Sequence, residues 1–381
     1  MFRSLVKTIR NRLESYEYRK YNFRLIALVV ALSVIGIQSI GSTSSAYAQK
    51  QTIGLVICVV LMLIASMINY NFFANIHFIL YILILLMLAA VLVGGITVYN
   101  ARRWFELGSF GTIQPSEFAK ILYIIFISRF LSDRKDRINR LSTFVFYIIL
   151  LALPVLLIYR EPDLSTSLVF VFISVMVIFA AGLSYKVIIS VVAVVVAAGV
   201  FLIWYIQQQG QKLFAEHQVQ RVLTFLNPSE YMSTTYAQQY NSVMAIGSGM
   251  LNGKDLAGSA SVAGANYLAA PQNDFIFAVV GEKYGFVGSC LVVILLLWVV
   301  IECLVIARNA KDMTGRLIAI GVASMIAFQT FVNVGVATAI LPNTGLPLPF
   351  ISYGLSSLLS STIGIGLVIN VGLQKTGGRR A

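Results

Sequence analysis

Several short stretches of this chain set ionisable side chains inside or beside long apolar runs, where a charge is costly and needs a reason. Asp274 is the sharpest candidate. It follows Pro271-Gln272-Asn273 and leads into Phe275-Ile276-Phe277-Ala278-Val279-Val280. Low-dielectric surroundings raise a carboxylate pKa, which suits a general base. The same position suits the N-cap of a following helix, which needs no other role, and the residue types leave both readings open. Glu117 and Lys120 are three residues apart, one helical turn on one face. They can neutralise each other and line a polar cavity, or simply pin two helices together. Arg102-Arg103-Trp104 just precedes them. An arginine fork donates two parallel hydrogen bonds to a phosphate, and Trp104 can cover a sugar or lipid face. An ordinary interfacial belt of aromatics and arginines has the same composition. Glu161-Pro162-Asp163 reads as a solvated acidic turn, with Asp163 capping the next helix. Glu282 and Lys283 read as buried packing or gating charges. Ser352, Ser356, Ser357, Ser360 and Ser361 read as small residues that let helices approach.

The elements that must position these residues are membrane spans. Of 381 residues, 58% are hydrophobic and 11% charged, about half the charged share of a soluble domain. The apolar residues fall in blocks long enough to cross a bilayer, which takes about 20 residues. Ten blocks are expected, near 24–41, 52–70, 75–98, 115–131, 141–159, 165–182, 185–206, 275–306, 314–339 and 350–372. The block 275–306 exceeds one span and is expected to tilt or protrude. The fold class is therefore an all-α integral membrane protein of ten transmembrane helices with one long extracytoplasmic loop, 207–274. That loop is expected to pack apolar pieces on the outer mouth. Residues 1–23 form a cytoplasmic or interfacial segment, 24–373 the membrane domain and 374–381 a cytoplasmic tail. Phe2, Leu5, Val6, Ile9 and Leu13 recur at helical spacing among basic residues, as in a helix lying on a membrane surface.

The net charge of +13 is partitioned by side. With the N-terminus inside, 19 of the 28 Lys and Arg fall on cytoplasmic segments and 7 outside, as the positive-inside rule demands. Nucleic-acid binding is a poor explanation of such a charge. Two histidines exclude a His-based metal cluster, and Cys58, Cys290 and Cys303 lie in apolar blocks without a CxxC site.

The ordered set of short motifs resembles one family. Arg102-Arg103-Trp104-Phe105 and Gln114-Pro115-Ser116-Glu117-Phe118-Ala119-Lys120 are similar to its RRW and QPSE(L/F)AK signatures. Glu161-Pro162-Asp163-Leu164, Arg221-Val222 with Phe225-Leu226-Asn227-Pro228, Ala245-Ile246-Gly247-Ser248-Gly249, Asn273-Asp274-Phe275-Ile276-Phe277-Ala278 and Leu346-Pro347-Leu348-Pro349-Phe350-Ile351-Ser352-Tyr353-Gly354 follow in family order. The family is SEDS (shape, elongation, division and sporulation), with RodA, FtsW and SpoVE. The chain departs from its pattern at Asn273, which replaces the usual Thr before the aspartate, and at Ser165, Met250 and Leu355, and it lacks the usual preceding His. The run Thr344–Phe350 leans toward the RodA-like elongation type.

This resemblance implies a peptidoglycan glycosyltransferase that polymerises lipid II at the outer face of the bacterial cytoplasmic membrane. It implies release of undecaprenyl diphosphate and a class B penicillin-binding protein as partner. Asp274 takes the family's essential aspartate position, as general base. Arg102, Arg103, Lys120 and Arg221 with Trp104, Ser116 and Glu117 form the expected substrate site. A divalent cation, Mg2+ or Mn2+, is compatible with a diphosphate, without a dedicated protein cage, and no organic cofactor is implied. A precursor flippase and a non-catalytic scaffold are the competing readings.

Overall fold

The computed structural model describes residues 16–17, 21–98, 101–106, 108, 112–206, 219, 223–224, 236–254, 268 and 270–374. Its helices are α1 (Phe23–Thr43), α2 (Ser45–Met67), α3 (Tyr70–Asn75), α4 (His77–Gly94), α5 (Pro115–Ser132), α6 (Leu141–Arg160), α7 (Leu164–Ala180), α8 (Tyr185–Ile206), α9 (Ala237–Ser248), α10 (Ile276–Arg308), α11 (Met313–Ala337) and α12 (Leu355–Leu373). Among the described residues, seven of these, α1, α2, α4, α6, α10, α11 and α12, are long and apolar enough to cross a membrane. α7 is apolar at 17 residues, and α5 carries Glu117, Lys120 and Arg129. The helices coincide with the expected blocks to within a few residues at most ends.

Helix starts follow the local chemistry. The Asn22 side chain accepts from Leu25 N at α1, Ser44 from Tyr47 N at α2 and Asp312 from Gly315 N at α11, each satisfying one N–H that the first turn leaves without a partner. Pro115 opens α5, where its missing N–H costs nothing. Large apolar side chains such as Ile53, Val60, Ile79, Leu86, Leu156 and Leu297 stand exposed around the perimeter. So much apolar surface belongs in lipid rather than water. The centre is α5, α11 and α12, and most of the α12 and α11 spans is buried. Close approach is set by small residues: a Cβ on Gly321 would touch Ile124, and one on Gly364 would touch Ile121 and Val322.

Three features differ from expectation. A three-stranded antiparallel sheet, β1 (Ile96–Val98), β2 (Ala101–Glu106) and β3 (Thr112–Ile113), joins α4 to α5. Ile96 pairs with Trp104 and Phe105 with Ile113. The fold is thus all-α in its membrane part only, and the block expected to run to 98 stops at Gly94 because the chain turns extended there. The last helix begins at Leu355, because 344–354 run outside helix as a folded-back loop. Finally, α10 is broken rather than only tilted, and Gly285 has φ 66° and ψ −163°.

The break explains the excess length. At 1.5 Å per residue, the piece after Gly285 spans roughly 30 Å or more by itself. The piece before it is sealed in protein, with Ile276, Ala278, Val279, Val280 and Glu282 fully buried, whereas Phe286 and Val287 are exposed. The turn after α9 fills the gap. Met250 O accepts from Phe286 N at 2.8 Å, Leu251 O accepts from Val287 N at 3.1 Å, and Lys254 N donates to Glu282 O at 2.9 Å. A broken span is tolerated only where freed backbone groups find such partners. α9 is held from its other side as well. Gln239 Nε2 donates to Leu341 O at 2.8 Å and Ser242 Oγ to Ala337 O at 2.7 Å, at the end of α11.

Of loop 207–274, only α9, the turn after it and a few further residues lie within the described set. The proposed surface helix near residues 2–13, Arg221 and most of the tail 374–381 lie outside the described residues.

The interlock predicts the sign of two glycine substitutions. A Cβ at Gly253 (φ 85°) would meet Lys283 O at 2.1 Å, whereas one at Gly247 meets nothing within 4 Å. Gly253→Ala should lose about 1–3 kcal/mol, and Gly247→Ala should be neutral or slightly stabilising. Thermal unfolding in detergent measures both, and equal melting temperatures for the two variants would discard the interlock.

Candidate active site

The ends of α4, α6 and α11 and the starts of α5, α7, α10 and α12 meet at the end of the bundle that carries the sheet. Asp274 sits there, partly exposed, one residue before Phe275 at the N-cap of α10. Its backbone is held by contacts from distant parts of the chain. Asn333 Nδ2 on α11 donates to Asp274 O at 2.9 Å and to Leu346 O at 2.8 Å. Ser352 Oγ donates to Asn273 O at 2.7 Å and accepts from Leu348 N at 2.8 Å. Tyr353 N donates to Gln272 O at 2.9 Å. Gln51 on α2 braces that loop, donating to Ser352 O at 3.2 Å and accepting from Gly354 N at 3.3 Å. Gly345 lies against the carboxylate; a Cβ built there would be 3.5 Å from Oδ2.

The acidic turn is buried, not solvated as its composition suggested. Glu161 is 0% exposed and Asp163 4%. Asp163 does cap α7, its Oδ1 accepting from Thr166 N at 3.1 Å. Its Oδ2 accepts from Gln114 Nε2 at 3.2 Å and lies 3.6 Å from Arg103 Nη1. Arg103 Nε donates to Glu161 O at 3.1 Å, and Nη2 donates to Pro162 O. The arginine fork is therefore engaged by the turn. Arg102 is exposed and donates through Nη1 to Leu92 O at 3.0 Å, and Trp104 is half-buried beside it on β2. Ser165 Oγ, just after the turn, donates to Thr344 O, next to Gly345. That bond joins the acidic turn to the Asp274 shell.

A polar column runs inward from this junction. Gln114 N donates to Ser356 Oγ at 3.1 Å. One turn deeper, Ser360 Oγ donates to Glu117 Oε2 at 2.9 Å, and Lys120 Nζ donates to Glu117 Oε1 at 2.7 Å. Lys120 is fully buried and Glu117 is 3% exposed. Ser116 is also fully buried, and its Oγ has no hydrogen-bond partner. Beyond Lys120, α5 presents Ile121, Ile124, Ile125, Phe126 and Ile127 to the core for a turn and a half, and the one polar group among them, the Tyr123 hydroxyl, is taken up by Ser174 Oγ at 2.7 Å, so the charged column stops at Lys120 and is blind. The serines of α12 are hydrogen-bonding groups as well as small packing residues. Of the helix charges, Glu282 is buried, whereas Lys283 is half-buried and donates to Gln38 O at 2.6 Å. Two apolar clefts, of about 680 Å³ (Tyr21, Phe23, Leu63, Met67) and 300 Å³ (Phe144, Tyr147, Phe179, Leu183), lie at the opposite end. Among the described residues no group of three or more His, Cys, Asp or Glu comes together to hold a metal.

Together the fold and the site define a polytopic helical membrane protein. It holds a partly exposed carboxylate at the end of the bundle from which a blind, charged interior column descends. The profile of the family described as Cell cycle protein (FtsW, RodA, SpoVE) matches residues 20–377, and the chain belongs to that family. It is 31% identical to the probable peptidoglycan glycosyltransferase FtsW of Bacillus subtilis (strain 168), over 96% of this chain and 92% of that one. It is 35% identical to the peptidoglycan glycosyltransferase MrdB of Escherichia coli (strain K12), over 77% and 76%. It superposes with a TM-score of 0.78 on a chain solved in a peptidoglycan synthase complex that coordinates polymerization and crosslinking. That match has 27% identity and covers 92% of this chain and 97% of that one.

Burial and the neighbouring Asp163 push the Glu161 carboxyl up from 4.5 to about 8, against the pull of Arg103. The fold therefore favours the neutral acid, and wild-type stability falls as pH climbs from about 4.5 to about 8. Glu161→Gln, which copies the neutral form, should gain on wild type across that window and level off above it. Melting curves from pH 5 to 9 test this, and a constant difference across the range refutes it.

Proposed function

We propose that this protein is a peptidoglycan glycosyltransferase that polymerises lipid II. It works at the outer face of the bacterial cytoplasmic membrane, with the sheet end outward and both termini inside. The observation that carries this reading is the placement of Asp274: a partly exposed carboxylate whose backbone is held by α11 and by the 344–354 loop, itself braced by α2, at the sheet end from which the polar column descends. The charge bias along the sequence supports the orientation.

In the reaction, the Asp274 carboxylate takes the proton of the acceptor sugar's 4-hydroxyl as that oxygen bonds to the donor's anomeric carbon. The bond from that carbon to the diphosphate breaks, and undecaprenyl diphosphate leaves with the electron pair. The diphosphate contacts fall to Arg102, Lys120 and Arg221. Lys120 reaches a phosphate only by exchanging Glu117 for it. Ser116 and Glu117 line the path, and Trp104 covers the sugar at the mouth. Arg103 holds the acidic turn and shapes the site from behind. A divalent cation, Mg2+ or Mn2+, if used, would be held chiefly by the diphosphate and would neutralise its charge. A class B penicillin-binding protein is the crosslinking partner, which the likeness to a synthase complex supports. A flippase needs a polar path across the bilayer, and the closed apolar stretch of α5 below Lys120 speaks against one.

Purified protein with its penicillin-binding partner should convert lipid II to glycan strands. Asp274→Asn should make none while melting like wild type, and normal polymer from that variant removes Asp274 as the base. Lys120→Met should bind lipid II at least about tenfold more weakly, a loss of about 1.4 kcal/mol; unchanged affinity removes its phosphate role.

A further inference from the structure

The reaction above leaves several buried amide atoms unused. Gln329 is 1% exposed, and neither its Nε2 nor its Oε1 has a hydrogen-bond partner. Asn333, also 1% exposed, spends its Nδ2 on Asp274 O and Leu346 O, while its Oδ1 has no partner. Asn273 Oδ1, beside Asp274, is unpartnered too. A buried polar atom left unpaired forfeits its bonds to water and gains none in return. So many in one region is a burden the fold alone does not explain.

Their direction follows from helix geometry. Phe331 is 64% exposed and faces lipid. Gln329 and Asn333 stand two positions before and after it, each rotated by about 200°. Both therefore point away from lipid into the bundle, four residues apart on one face. Their depth follows from packing. A Cβ on Gly321 would touch Ile124 of the antiparallel α5. Eight residues toward the sheet end from that contact stand Gln329 on α11 and Ser116 on α5, whose Oγ is likewise unpartnered. Gln329 is thus a turn below the Asp274 shell, level with the top of the Ser116–Glu117–Ser360 column.

The chemistry of the unpaired atoms selects a ligand. Gln329 offers two donors and an acceptor, and Asn333 and Asn273 each add an acceptor. A phosphate accepts only and leaves every one of those oxygens unpaired. An ammonium donates only and leaves Nε2 unpaired. A hydroxyl donates and accepts at a single atom, whereas a secondary amide, whose N–H and C=O point in opposite directions, can take Gln329 Nε2 on its C=O while giving its N–H to a second residue's oxygen such as Asn333 Oδ1. We propose that Gln329, with Asn333 Oδ1, forms the recognition site for the acetamido group of a lipid-linked amino sugar, one turn beneath Asp274. This rests on the glycosyltransferase reading and names the part of the substrate held there.

The test pairs two ligands with one near-isosteric variant, Gln329→Met. Binding of lipid II, and of an analogue with free amines in place of the acetamido groups, is measured in nanodiscs alongside polymer formation. Wild type should prefer the acetamido ligand by at least about tenfold, and Gln329→Met should bring that ratio close to one. The same variant, relieved of an unpaired buried amide, should melt higher than wild type without ligand. A Gln329 that merely braces the fold predicts the reverse, a lower melting temperature with the preference intact, and that result overturns the proposal. Should Gln329→Met not fold, that is itself the bracing outcome, and Gln329→Asn, which keeps the amide but withdraws it, must then retain the full preference. Wild type that binds with the preference yet makes no polymer refutes the glycosyltransferase reading and leaves the recognition site standing. Wild type that polymerises both ligands equally does the opposite.

Discussion

Glu117 and Lys120 share a 2.7 Å hydrogen bond with almost no solvent on either, and the centre of the bundle is organised by the need to keep that pair closed. Removing two charges from water costs several kcal/mol each, and their mutual attraction recovers it only with good geometry and further hydrogen bonds. Ser360 supplies one of those bonds. Gly321 and Gly364 bring α11 and α12 close enough to seal α5 on two sides. A matched pair of apolar residues would pack there at no such penalty. Stability alone therefore does not account for the pair, and the substrate role proposed for Lys120 would.

A second constraint sits on the backbone. The half-helix that begins just after Asp274 ends at a break, and its freed amides are satisfied by the turn after α9. That turn belongs to an element anchored on the end of α11 by Gln239 and Ser242. α11 in turn holds Asp274 through Asn333. The carboxylate is thus tied at both ends of one short buried helix to the same neighbour. Such closure holds Asp274 to the tight positional tolerance that the proposed proton transfer would require.

The spans were legible because the bilayer imposes one length and one composition, and both survive in a single sequence. Asp274, Glu117 and Lys120 stood out because charges are rare in such runs. Three things were hidden for physical reasons. The sheet consists of strands of six residues or fewer directly after a span, too short to interrupt an apolar pattern. The α10 break left one trace, an apolar block longer than a membrane needs, but its partner Gly249–Lys254 is some thirty residues away in sequence. The acidic turn looked solvated because its burial depends on Arg103 and Gln114, which approach from another element. Gln329 and Asn333 were overlooked because an isolated amide in a span reads as helix packing until its partners can be counted.

The polar groups are distributed unevenly along the bundle axis. Asp163, Gln114, Ser356, Ser360, Glu117 and Lys120 descend from the sheet end and stop, and α5 closes behind them with isoleucine, phenylalanine and a tyrosine whose hydroxyl is bound by Ser174. At the other end the contacts are structural clasps, such as Asn370 to Ser66 O and Tyr70 to Asp312. A carrier needs two mouths that open in turn. A bundle polar at one mouth only can bring reacting headgroups together on one side while their hydrocarbon tails stay against its apolar perimeter. The blind end thus fits the chemistry proposed above. It keeps the low dielectric beneath Lys120 intact, which strengthens every charge contact made above it.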